Sequence, residues 1–307
     1  MSGNDSEAGK KAWIGWKPMA FGVFVFVAAM FGMVINMVAP HVQQLFAPPP
    51  ECIVKFKKGI EIVDYNKGAG SQLLREAYEL TKKPSTTPFN RAYVTYEYGQ
   101  WLWQDSQYKA ALPVLRESIP LCKEAGYPLY AASAMELLAD CQHELGQPGD
   151  ATALCKEALQ IRERALGTSH CYVANTLNRL GASYLDAGQP NEASGAFHRA
   201  IEIIQAVGDK EPCDSSQTTR YRSSAAVGLA EVYAAEKKLA ESEKQLRSAI
   251  AYCDERSGSG SSLAEDLLRD YVRCLHKLGY AERAGYYNNK LDNPFVLVSD
   301  GSVAEEN

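Results

Sequence analysis

The chain has 307 residues, with 32 Lys plus Arg against 37 Asp plus Glu and a formal net charge of -5. That balance leaves no basic footprint for nucleic acid. A hydrophobic content of 46% suits a protein with a real core, and the Leu, Ala, Glu, Lys and Arg that recur from Asn90 to Leu291 favour helices over strands.

Residues 1–18 read as a polar N-terminal tail. From Met19 to Val38 there is no charge, and Asn36 is the only strongly polar side chain. As a helix this run is roughly 30 Å long, the thickness of a hydrocarbon core. Trp13 and Trp16 stand before it at interfacial positions, and Pro40 ends it. Residues 19–39 are therefore expected to form a single transmembrane helix. It reads as uncleaved, because the apolar run is long and lacks a good small-x-small cleavage pair. Lys10, Lys11 and Lys17 precede the span. They place the N-terminus in the cytoplasm and the repeat domain on the opposite side.

Residues 40–88 read as a linker followed by a degenerate capping hairpin. Ala47-Pro48-Pro49-Pro50 favours a stiff extended spacer. Ile60 to Tyr65 and a helix from Ser71 to Lys83, with Ser71 as its N-cap, would make the hairpin. Lys83 to Pro88 is a break.

Beyond it the sequence repeats at 42 residues. Gly146-Gln147-Pro148-Gly149-Asp150-Ala151 corresponds to Gly188-Gln189-Pro190-Asn191-Glu192-Ala193, and Ala158-Leu159-Gln160-Ile161 to Ala200-Ile201-Glu202-Ile203. Gly146 and Gly188 supply a left-handed residue where a helix stops. Pro148 and Pro190 suit the first turn of the next helix. Ala151 with Ala158, and Ala193 with Ala200, would line the inner seam of a helix hairpin. Weaker copies extend the pattern over residues 89–292 as about five hairpins. The longer spacing before the fourth implies an inserted loop near Lys210 to Gln217.

Leu177-x-x-Leu180-Gly181-x-x-Tyr184, Gly188, Ala193-x-x-x-Phe197 and Ala200 resemble a tetratricopeptide repeat. The longer period resembles the repeats of kinesin light chain. The residues that carry this likeness are Ala158-Leu159-x-Ile161-x-Glu163, Leu166-Gly167-x-x-His170 and Val173-Ala174-x-x-Leu177-Asn178-x-Leu180. Cys171 stands where that family usually has proline, and Arg179 where a second asparagine is usual. The resemblance implies an all-α fold, a right-handed superhelical solenoid of hairpins whose first helices line a concave groove.

Carried onto this chain, the family's groove positions fall at Tyr93, Tyr96, Gln100 and Trp103, then Glu136 and Asp140, then Asn175 and Asn178, then Arg269 and Arg273. The resemblance thus implies a protein or peptide ligand. By charge, Glu136 and Asp140 would face a basic stretch of it, or else form only the solvated face of ordinary helices. The aromatic residues from Tyr93 to Tyr108 serve equally well as the core of the first hairpin. The second repeat presents acids where a chaperone-type carboxylate clamp needs basic and amide residues.

No C-x-x-C pair is present, and counting around the hairpin turns leaves only Cys141 and Cys155 conceivable as a disulfide. The other cysteines are expected to be free. No Walker A sequence, H-E-x-x-H or G-x-S-x-G occurs, so no enzyme, cofactor, metal or small-molecule substrate is expected. The expected role is a membrane-anchored adaptor, or alternatively a structural subunit or assembly factor of a membrane complex. Residues 293–307 read as a C-terminal tail.

Overall fold

The computed structural model describes residues 50–147, 149–208, 213–257 and 262–291. The chain divides after Pro50, and the unit that begins at Glu51 is the one considered below. The tail 1–18, the expected span 19–39, the Pro-containing stretch 40–49 and the end 293–307 lie outside the described residues. Among the described residues, no helix is long and apolar enough to cross a membrane.

Twelve α-helices form six consecutive hairpins among the described residues: α1 (Glu51–Val63) with α2 (Lys67–Thr81), α3 (Pro88–Gln104) with α4 (Tyr108–Glu124), α5 (Pro128–Glu144) with α6 (Ala151–Leu166), α7 (Cys171–Asp186) with α8 (Pro190–Val207), α9 (Ser215–Ala235) with α10 (Leu239–Ser257), and α11 (Ser262–Lys277) with α12 (Ala281–Asn288). Each helix packs on its neighbours along the chain. The architecture is an all-α stack of hairpins of the tetratricopeptide type.

Small residues on the first helices set the spacing of the layers. A Cβ on Gly181 of α7 would lie 2.6 Å from the ring of Phe197 on α8, and one on Gly99 of α3 would lie 2.7 Å from Leu115 on α4. Gly59 stands in the same relation to Leu74 at 2.8 Å. Ala139 and Cys155, and Ala230 and Leu246, hold the equivalent places and are buried. On the second helices Ala151, Ala158, Ala193 and Ala200 are all buried, as the inner-seam pattern requires.

Five of the six hairpin turns among the described residues share one closing geometry. After α7, Gly188 N–H donates to Leu185 O at 3.0 Å and Gln189 N–H to Tyr184 O at 2.8 Å. The same pair of bonds follows α3, α5, α9 and α11, a Schellman arrangement that satisfies the last carbonyls. It demands a left-handed residue, and Gly146 and Gly188 supply it with φ of 63° and 70°. Ser106 and Lys237 occupy the same place with φ of 58° and 64°.

Several boundaries differ from the sequence reading. α2 starts at Lys67, with the Asn66 side chain accepting the Ala69 N–H at 3.1 Å, so Ser71 lies inside the helix. Pro190 opens α8, but α6 opens only at Ala151, three residues beyond Pro148. The insertion expected near 210–217 is partly helix. α9 begins at Ser215, capped by Asp214, and runs for 21 residues. Pro113 and Pro120 lie inside α4, each removing a backbone donor.

Because a side chain in the left-handed region costs about 1–2 kcal/mol, Lys237→Gly and Ser106→Gly are each expected to stabilise the fold, by about 0.5–1 kcal/mol after the added freedom of the unfolded chain. Gly188→Val should destabilise by a larger amount. Denaturant midpoints of the three variants check this, and a lower midpoint for Lys237→Gly would contradict it.

Candidate functional site

First helices wall a groove of about 590 Å³. Trp103 of α3 stands at one end of it. Asp140, His143 and Glu144 come from α5, Asn175, Asn178 and Arg179 from α7, Arg220 and Tyr221 from α9, and Asp270 and Arg273 from α11. The side chains reach it because positions three and four apart share a helical face, and because the small seam residues behind them keep the first helices close.

Five of the ten sequence-derived positions line this groove: Trp103, Asp140, Asn175, Asn178 and Arg273. The other five do not, for different physical reasons. Tyr96 is 8% exposed, with its ring 5.2 Å from that of Tyr130, and burial pushes its phenol up to about 12. Tyr93 is half-buried between Phe56, at 6.3 Å, and Phe89, at 5.9 Å. These rings are part of the core of the first layers. Gln100 is half-buried beside them and off the groove wall. Arg269 is exposed and paired along its own helix with Asp266 at 2.9 Å.

Glu136 is the clearest correction. It is 3% exposed and faces inward. Arg162 of α6 binds it through two parallel bonds, Nε to Oε1 at 2.8 Å and Nη2 to Oε2 at 2.9 Å. Thr176 of α7 donates its hydroxyl to the same carboxylate, and Arg162 also reaches Ser133 at 3.0 Å. One buried carboxylate therefore ties α5, α6 and α7 together. Asp140 is taken up by Arg179 of α7, so the acidic patch expected to receive a basic segment is already neutralised from within. His143 pairs with Asp186, and Glu144 with Arg273 of α11 across the groove at 3.6 Å.

Asn178 and Arg220 keep bonding capacity free on the wall. Asn178 is 8% exposed; its Nδ2 donates to Tyr221 O at 2.7 Å, while its Oδ1 has no hydrogen-bond partner within the protein. Arg220 is exposed on the wall and forms no ion pair with the described acids. Arg220 and Tyr221 escaped the sequence reading because the first turns of α9 fell in and next to a stretch taken for a loop. The helix spacing of Asn175 and Arg179, four residues apart, was the signal that could have brought Arg179 in.

The cysteines also depart from expectation. Cys171 and Cys213 form a disulfide with a Cα–Cα distance of 6.3 Å. Cys141 and Cys155 are separate buried thiols, both pushed up to about 12 by burial. Counting around hairpin turns tests only partners within one hairpin. Cys171 and Cys213 are 42 residues apart. That bond runs between neighbouring hairpins, from Cys171 at the start of α7 to Cys213 just ahead of α9.

Residues 130–206 match the tetratricopeptide repeat family model. No curated protein in the comparison matches the chain. Among solved structures, the apo form of RapI is 16% identical, covering 91% of this chain and 97% of its own, with a TM-score of 0.62. NprR in complex with its cognate peptide NprX is 15% identical, covering 94% and 79%, with a TM-score of 0.57. BtubC (BKLC) from P. vanneervenii is 16% identical, covering 69% and 91%, with a TM-score of 0.52. At these identities the likeness is one of fold.

Removing one partner from a buried ion pair costs about 3–5 kcal/mol. Arg162→Met should destabilise by that order, and Arg162→Met with Glu136→Gln should recover a large part of it. Thermal unfolding of both variants gives the comparison, and a double variant no better than the single would speak against the pairing as the cause.

Proposed function

We propose that this chain is a membrane-tethered interaction scaffold that holds an extended segment of a partner protein in its concave groove. The observation that carries this reading is Asn178: a nearly buried amide with one end fixed to Tyr221 O at 2.7 Å and an open acceptor on the groove wall. Such an acceptor suits a backbone N–H of an extended peptide. Arg220 beside it suits a carboxylate of the same ligand, because a guanidinium binds carboxylates through paired bonds. Asp140 with Arg179, His143 with Asp186 and Glu144 with Arg273 pair most of the other wall charges, which leaves shape and backbone hydrogen bonds as the main recognition. A peptide seated in NprR, a protein of like fold, is consistent with this use of the groove.

In this reading the hairpins are long repeats of the kinesin-light-chain kind, and the uncharged run 19–39 is the anchor. Lys10, Lys11 and Lys17 keep the N-terminus cytoplasmic, with the repeats on the other side of the membrane. A disulfide between Cys171 and Cys213 suits an oxidising compartment. The role is binding, with no catalytic step.

The alternative, a fixed subunit of a larger complex, draws on a different surface. Phe89, Tyr127 and Tyr130 are 43%, 39% and 38% exposed, yet their rings lie 5.0 and 6.0 Å apart in sequence-order pairs. Exposed aromatic clusters of this kind mark protein interfaces.

Selection from a displayed random-peptide library separates the two. Peptides retained by the wild-type chain should bind Asn178→Ala or Arg220→Glu at least about tenfold more weakly, a loss of roughly 1.4 kcal/mol. Undiminished binding to both variants would reject the groove. For the topology, external protease should spare the repeats in sealed inside-in vesicles only if they face the cytoplasm; their digestion in intact cells with a permeable outer layer is the expected result.

A further inference from the structure

Cys52, Cys122, Cys141, Cys155 and Cys253 are buried thiols. Cys171 and Cys213 differ from these in their company. His170 stands at the start of α7, where its Nδ1 accepts the Tyr172 N–H at 3.2 Å and lies 3.8 Å from Cys171 Sγ. His170, Cys171 and Cys213 place three donor atoms within 4.8 Å of one another, the one such group of His, Cys, Asp or Glu among the described residues. Both sulfurs are buried, and His170 is half-buried, which makes it the side from which solvent approaches.

Tetrahedral zinc, with bonds of about 2.3 Å to sulfur and 2.0 Å to nitrogen, sets its donors roughly 3.5–3.8 Å apart. The 3.8 Å between Cys171 Sγ and His170 Nδ1 already matches that spacing. The 6.3 Å between the two Cα atoms also leaves room for the sulfurs to separate onto one ion.

We propose that His170, Cys171 and Cys213 form a redox-gated site for a zinc-class divalent cation, closed by the disulfide and opened by its reduction. The opening step consumes two molecules of a glutathione-class thiol. The bond between the two sulfurs breaks, each sulfur gains a proton, and the two small thiols leave joined as their own disulfide. The cation then displaces one proton from each cysteine. Two thiolates and a neutral imidazole cancel its charge, so no net charge enters a buried site, and a fourth position is left for water. The His170 nitrogen that now caps α7 becomes a ligand or turns aside to present the other ring nitrogen. The compartment's thiol pool sets which form dominates.

The two closed forms share a mechanical consequence. Cys213 immediately precedes Asp214, the cap of α9, and α9 carries Arg220 and Tyr221 to the groove. Either a disulfide or a shared ion ties the start of α7 to the start of α9. Only the reduced, metal-free form releases it. The metal site itself stands apart from the groove reading, and its test does not use a peptide.

The probe is cobalt(II) alone, added to the purified full chain, because thiolate-to-cobalt charge transfer is visible in absorption; zinc(II) then competes. The reduced chain should take up one ion with a thiolate charge-transfer band, and the disulfide form none. His170→Ala keeps both sulfurs and should weaken binding at least tenfold. Cys213→Ser should lose half or more of the band. The proposal is overturned if the reduced wild type takes up no cobalt, if the disulfide form binds as tightly, or if Cys171→Ser/Cys213→Ser of unchanged helical content binds as much as wild type. Should the cysteine variants unfold, His170→Ala decides alone, and wild-type affinity there overturns it.

Discussion

The closeness of each first helix to its second helix is the constraint on which everything else in this stack depends. It is set by a missing side chain. Gly99 faces Leu115, and Gly181 faces Phe197, at distances where an added Cβ would fall 2.7 and 2.6 Å from the partner. The Phe197 ring also lies against Gly228 of α9, so one aromatic ring is lodged between two successive first helices at glycines. Protein interiors are packed too tightly to absorb a methyl group at such points without displacement. The ring that spaces these layers also lines the groove floor. Spacing and binding surface are therefore set by the same contact.

Charge in the groove is organised by the same closeness. Glu136 is buried against Arg162 and Thr176. The arrangement leaves neither charge alone in a medium of low dielectric. Asp140 with Arg179, and Glu144 with Arg273, consume most of the charge that faces the concave side. The groove is consequently a poor receptor for a strongly basic or acidic stretch, despite its many ionisable side chains. What it leaves open includes the Asn178 amide oxygen and the Arg220 guanidinium, groups that read a peptide backbone and a carboxylate. The Asn178 bond to Tyr221 O makes this opening depend on how α9 is seated.

The seating of α9 is where the chain departs furthest from a regular repeat. It is 21 residues long, and its start is tied to that of α7 through Cys213 and Cys171. Cys171 occupies the position at which kinesin-light-chain repeats usually carry proline. A proline there would fix the entry to α7 by its own ring; here a covalent link to the neighbouring layer does so. This link changes with the thiol environment, and a proline does not.

Much of this was legible in the chain itself, for reasons that are local. Helix starts and stops at Gly146, Gly188 and Pro190 follow from backbone preferences of single residues. The 42-residue recurrence exposes the hairpin as the building unit, and the alanines at Ala151, Ala158, Ala193 and Ala200 mark its seam. Trp103, Asp140, Asn175, Asn178 and Arg273 reach the groove because helical periodicity settles which face they occupy. Contacts between layers were not legible. Glu136 lies one turn from Asp140 on the same helix, and nothing in that spacing tells that Arg162 will draw one inward and Arg179 will cover the other. Tyr96 became core because Tyr130 of the next hairpin packs on it. Cys171 met Cys213 because stacking brings the start of α7 against the stretch just ahead of α9. The sequence by itself determined the hairpin, its seam and the face each side chain takes, since these depend on residues a few positions apart. The tertiary structure alone decided which polar groups are used up and which stay open, since that depends on partners brought in from other layers.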